Sequence, residues 1–172
     1  FDDGAYEAAL AAAGQLGELE RRITALYAGQ NKLRTQRLSL APWLELDIPL
    51  ETASTEEVAV AFGAVASTAD LDALERALAE QSELTQLLRA GSDAQLQYLV
   101  LLCHRSAEAG CQEVLKDFGF SRAALRGWTG TAAENDRRLA RELEESEGEL
   151  AAAVAEVAAF APRKAELEQA LD

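Results

Sequence analysis

The chain has 172 residues, 49% of them hydrophobic and 27% charged, which supplies one ordinary core and a solvated surface, so several independent cores or disorder throughout are disfavoured. Asp and Glu number 30 against 16 Lys and Arg, a net charge of −14 that repels nucleic-acid phosphates and anionic lipid headgroups and favours a basic partner surface. No window approaches the roughly 20 apolar residues of a spanning helix, no signal peptide is evident, and a chain that opens at Phe1 without any Met reads as a soluble piece of something longer.

The first element expected is a long helix over residues 1–41. Leu16, Leu19, Ile23, Leu26, Gln30, Leu33, Arg37 and Leu40 recur at alternating steps of three and four, a heptad seam with two polar interruptions, Gln30 and Arg37. Pro42 ends it, because proline lacks a backbone donor and pushes Ala41 out of the helical region. Residues 42–56 then read as an extended linker, Trp43-Leu44-Glu45-Leu46-Asp47-Ile48-Pro49-Leu50 at its start, with Trp43 as the anchor to a neighbour.

Residues 57–130 carry a different rhythm. Glu57 to Ala66 alternates around Val58, Val60 and Phe62 as a strand does, and Asp70 to Glu80 places Leu71, Leu74 and Leu78 at helical spacing. Leu84 to Arg89 and Leu96 to Cys103 flank the turn Ala90-Gly91-Ser92-Asp93 and should pair as a hairpin. Ser106 to Phe118 is a second helix stopped by Gly119, and Phe120 to Trp128 a last strand. The order β-α-β-β-α-β is that of a ferredoxin-like head, a four-stranded sheet with two helices on one face. Because Leu96 to Cys103 is apolar at both parities, the second face of the sheet should be covered as well.

Residues 131–172 form the return helix, opened by a capping box at Thr131-Ala132-Ala133-Glu134. Its seam is expected through Leu139, Leu143, Ser146, Leu150, Val154, Val157, Ala161, Lys164 and Leu171, with a kink at Pro162. Two helices of matched length at the ends of one chain argue for an antiparallel coiled coil carrying an α+β head.

Candidate chemistry is sparse. The single histidine, His104, could centre a Ser/His/Asp triad, but no nucleophile-elbow motif accompanies it. Cys103, His104 and Cys111 match no zinc spacing and read better as two core thiols and a surface histidine in a reducing compartment. The segment Gly127-Trp128-Thr129-Gly130-Thr131 could hold an anion, yet without the lysine of a phosphate loop it reads as a turn feeding a helix cap. Glu142, Glu144, Glu145, Glu147 and Glu149 are a docking surface for a basic partner or the solvated outside of a coiled coil, and Ala151 to Ala161 admits a closely packed helix. No catalytic, metal or cofactor residue emerges, and no enzyme activity is expected.

The segment Leu40-Ala41-Pro42-Trp43-Leu44-Glu45-Leu46-Asp47-Ile48-Pro49-Leu50, following a heptad helix, resembles the linker of subunit I, also called subunit a, of V-type ATPases. The resemblance continues through Val60-Ala61-Phe62-Gly63-Ala64-Val65, Cys103-His104-Arg105, Phe118-Gly119-Phe120-Ser121 and Gly130-Thr131-Ala132-Ala133-Glu134. It implies the lobe of the cytoplasmic half that lies far from the membrane, with parts of both connecting helices, at the cytoplasmic face of a membrane complex. It further implies a static scaffold that binds the peripheral stalk subunits E and G, joined to its own membrane domain outside this piece. No catalytic or ion-path residue carries over, and this piece itself neither enters the membrane nor binds nucleic acid. A small-ligand-binding regulatory domain with the same head is the alternative.

Overall fold

The computed structural model of the chain describes residues 3–171, with side chains throughout except at 161, 163–168, 170 and 171. Contacts divide it into two compact units, Leu38–Arg138 and the pair of segments Phe1–Arg37 and Leu139–Asp172.

The second of these units is built from most of two long helices, α1 (Asp3–Leu40) and α4 (Ala132–Leu171). Helix α1 is free of proline and rich in Ala, Leu, Glu and Gln, all strong helix formers. Its covered positions keep the heptad spacing but begin earlier than the leucines show, with Ala9 and Ala12 buried ahead of half-buried Leu16, Leu19, Ile23 and Leu26. Helix α4 departs from the expected seam: Val154 is 47% exposed while Ala153 is 3% exposed, and Phe160 is half-buried. The physical seam is therefore Leu139, Leu143, Ser146, Leu150, Ala153, Val157 and Phe160. Reading Leu150 to Val154 placed two four-residue steps in succession, which rotates the stripe off the contact face; the smaller Ala153 keeps the alternation. The expected seam positions Ala161, Lys164 and Leu171 lie outside the described side chains. Helix α4 continues through Pro162 to Leu171.

The helices run antiparallel: Leu19 and Arg22 of α1 border the same cleft as Glu156 and Phe160 of α4, while Gln30, further along α1, meets Ser146, earlier in α4. Gln30 Nε2 donates to Ser146 Oγ at 3.2 Å, and Arg34 Nη2 lies 3.5 Å from a Glu147 carboxylate oxygen. The ion pair is about half exposed at both ends and contributes little. The amide of Gln30, only 2% exposed, has its bond inside the seam, where an unmet polar group would cost more than the bond gives.

The other unit is α+β. Its elements are β1 (Val58–Ala66), α2 (Leu71–Gln81), β2 (Thr85–Ser92), β3 (Leu96–His104), α3 (Glu108–Asp117) and β4 (Ser121–Arg122). The sheet order is β2-β3-β1-β4 with every neighbour antiparallel. Alternation along the strands sends Ala59, Ala61 and Val65 of β1 and Leu99, Leu101 and Cys103 of β3 to one side, where they meet Leu74 and Leu78 of α2 and Cys111 and Leu115 of α3. Asp70 caps α2 by accepting from the Ala73 amide at 3.0 Å.

The last strand is far shorter than Phe120 to Trp128. Only Ser121 and Arg122 pair with β1, followed by one bond from Ala123 N to Phe62 O at 2.9 Å. The residues that follow, Ala-Ala-Leu-Arg-Gly, have little strand preference, and Gly127 turns the chain at φ +87°. What holds β4 in place is Phe120, whose ring lies against Gly63; a Cβ there would meet the Phe120 ring and the Ser121 carbonyl.

Candidate functional site

The segment after α1 covers the sheet face opposite α2 and α3. It begins as a 3-10 turn, Ala41–Trp43, with Pro42 at its start, rather than as extended chain. Proline's fixed φ suits the first position of such a turn even though it stops the α-helix. Trp43 is 2% exposed and meets Phe62 and Tyr98 edge to face, with ring centroids 5.7 and 5.5 Å away. Val100, the strand partner of Phe62, is fully buried on this face. Further along, Leu50 N donates to Gly130 O at 2.8 Å, and Gly130 N donates to a Glu51 carboxylate oxygen at 2.8 Å. The glycine-rich loop thus already holds an anion of its own chain.

The capping box closes the same loop. Glu134 N donates to Thr131 Oγ1 at 3.2 Å and Thr131 N to Glu134 Oε2 at 3.1 Å; with Gly130 at φ +80°, the turn-and-cap reading describes what these residues do.

The cover leaves one end of the face open. Val58, Leu84, Gln86, Leu102 and His104 line a groove of about 360 Å³ there, with Glu83 at its rim. Leu84, 67% exposed, stands at the open side of this groove. His104 turns its Nδ1 toward the following turn, 2.8 Å from Ser106 Oγ and accepting from Ser106 N at 3.2 Å. Both contacts are local caps of the Arg105–Ala107 turn and both are made by Nδ1.

A second opening lies between α3 and the outer edge of β1, a cleft of about 380 Å³ where a longer β4 would otherwise continue. Its floor is Ala59, Ala61, Leu101, Cys103, Cys111 and Leu115, with Phe120 as one wall. Glu108, Gln112, Lys116 and Arg122 stand around it. The two thiols are both buried and unlinked, and they hydrogen-bond to one another. Burial, and then the neighbouring Cys103, pushes the Cys111 thiol up to about 11; burial also raises Cys103. At neutral pH the floor is therefore uncharged. His104 follows Cys103 in β3 and so points to the opposite face, which separates the three residues weighed as metal ligands. Among the described residues no cluster of three His, Cys, Asp or Glu is placed to hold a metal ion.

The acidic run on α4 stays on the outside: Glu142, Glu144, Glu145, Glu147 and Glu149 are all exposed, and Glu147 meets Arg34. Of the Ala-rich tract, Ala153 is buried while Ala151, Ala152, Ala155, Ala158 and Ala159 remain exposed. No helix of the described residues is long and apolar enough to cross a membrane. The exposed Leu84 and the cleft beside the short β4 were not visible in the sequence. The first lies in a segment that reads as plain strand, and the second exists only because β4 stops after two residues.

No protein-family model matches the chain, and no curated protein matches it by sequence. Among solved structures it is similar to the cytoplasmic N-terminal domain of subunit I, homolog of subunit a, of V-ATPase, with a TM-score of 0.51 and 19% identity over 95% of this chain. The chain spans 65% of the length of that domain. The likeness is one of fold.

Proposed function

We propose that this chain is part of the cytoplasmic domain of a V-type ATPase subunit I and serves as a stator scaffold without catalysis of its own. In this reading the α+β unit is a ferredoxin-like head that recruits the peripheral stalk subunits E and G at the cytoplasmic face of the membrane. The two long helices are an antiparallel coiled coil that sets the reach from the chain's membrane domain. The observation that carries the reading is the likeness of fold over 95% of the chain, since it takes in both long helices and the inserted sheet. The net charge of −14 and the open groove at Leu84 support a basic partner docking on an apolar patch.

Titrating the chain with its cognate E and G heterodimer tests the proposal. Binding is expected, and because exposed charges are screened over about 8 Å at physiological salt, added salt should slow association more than it speeds dissociation. Absence of binding at high micromolar concentration would refute the stalk-binding role. Binding that ignores salt would remove the electrostatic part alone. Turnover of ATP by the pure chain would overturn its assignment as a non-enzyme.

A further inference from the structure

We infer that the cleft between α3 and β1 is a binding site for a small apolar molecule carrying a carboxylate, an activity separate from the scaffold role. Its volume of about 380 Å³ falls in the range of small-ligand pockets, and its floor is apolar with a few polar groups at the rim, which is how such pockets are built. The floor is shallow-walled for a specific reason: β1 presents Ala59 and Ala61 there, and no strand follows Arg122 to close the side. With both thiols protonated, nothing on the floor repels a hydrocarbon.

The rim selects the head group. Lys116 and Arg122 line the cleft, and neither has an ion-pair partner among the described residues. In a chain with nearly twice as many acids as bases, they bring two cations to the mouth of one cleft. Glu108, the third charge on the rim, is bound to Arg105 at 2.7 Å and accepts from Gln112 at 3.3 Å. With Glu108 held by Arg105, Lys116 and Arg122 are the two cations left at the rim to meet an anionic head group. The planar fork of Arg122 suits a carboxylate in particular.

Decanoate serves as the probe, with decanol as its neutral counterpart, each titrated into the isotopically labelled chain and followed by amide NMR shifts. Shifts are expected at Ala61, Cys111, Leu115 and Phe120, with decanoate bound more tightly than decanol. Lys116→Gln and Arg122→Gln replace exposed side chains and should not disturb folding. Each should weaken decanoate about two- to five-fold, the range of an exposed ion pair, and leave decanol unchanged. Equal binding of the two probes, unchanged decanoate binding in the doubly substituted chain, or shifts lying elsewhere would each overturn the inference. None of these outcomes bears on binding of the E and G subunits.

Discussion

Replacing Gln30 by Leu tests whether the buried amide stabilises the helix pair or only fixes its register. Gln30 is 2% exposed and makes one described bond, 3.2 Å to Ser146. Losing a neutral hydrogen bond of this kind costs about 1 kcal/mol, and the Ser146 hydroxyl left behind can turn to a carbonyl four residues earlier in its own helix. Burying a leucine contributes about 1.5–3 kcal/mol, part of which the glutamine stem already supplies. The net is a gain of about 1 kcal/mol, or roughly 2–4 °C in melting temperature for a chain of this size. Gln30→Ala, which loses the bond and leaves a cavity, should instead cost about 2–3 kcal/mol. Urea and thermal unfolding read both. Register is read by paired cysteines: four residues back from Gln30 is Leu26 and four on from Ser146 is Leu150, so a Leu26/Leu150 pair should crosslink and an Ile23/Leu150 pair, a turn away, should not. In Gln30→Leu the second pair should begin to crosslink. A lower stability for Gln30→Leu, or equal crosslinking of both pairs in the unaltered seam, would refute the reasoning.

Three further outcomes follow from the α+β unit. Trp43→Ala should destabilise by about 3–5 kcal/mol, seen as a lower urea midpoint, because it strips the cover from Phe62, Tyr98 and Val100. Gly63→Ala should cost about 1–3 kcal/mol and shift the Phe120 ring resonances, since the added methyl meets backbone as well as ring. Stability should fall as pH rises from about 9, where the unfolded thiols ionise, toward about 11, where Cys111 ionises in the fold. The folded chain holds that proton more tightly, so its advantage is intact below pH 9 and lost above; Cys111→Ala should flatten the decline in unfolding free energy across this window.

What could be read from the sequence was set by side-chain size and by local chemistry. The capping box at Thr131 and Glu134 is a purely local device, so its spacing was sufficient. The anchor Trp43 was legible because one large ring beside a proline has few uses other than burial. Ala9, Ala12 and Ala153 were missed because a single methyl carries almost no hydrophobic signal, and whether it is covered depends on the partner helix. The length of β4 was misread because Leu125 and Trp128 supply apolar weight while pairing is decided by the backbone, which Gly127 turns away. The cleft and the groove were invisible for the same reason: each is defined by where another element stops.

The edges of the sheet limit how this unit can hold a partner. Beyond β4 the outer side of β1 has no strand beside it, yet its groups are met by the segment just before it: Val60 N donates to Ser54 Oγ at 2.9 Å, Val58 N to Thr55 Oγ1 at 3.0 Å, and Val58 O accepts from the Thr55 backbone N at 2.7 Å. The opposite edge, β2, is broken by a register shift between Arg89 and Ser92, and Arg89 is tied to Asp72 at 2.8 Å and Glu75 at 3.1 Å. A bulge and a charged edge are both ways in which sheets resist templated pairing. A partner that added a strand would have to displace these bonds before making its own, which leaves little net gain from the exchange. Attachment through side chains on the open face, around Leu84, Val58 and Leu102, requires no such exchange. If the chain docks a partner as proposed, guarded edges and an open face allow that docking without templating strand pairing.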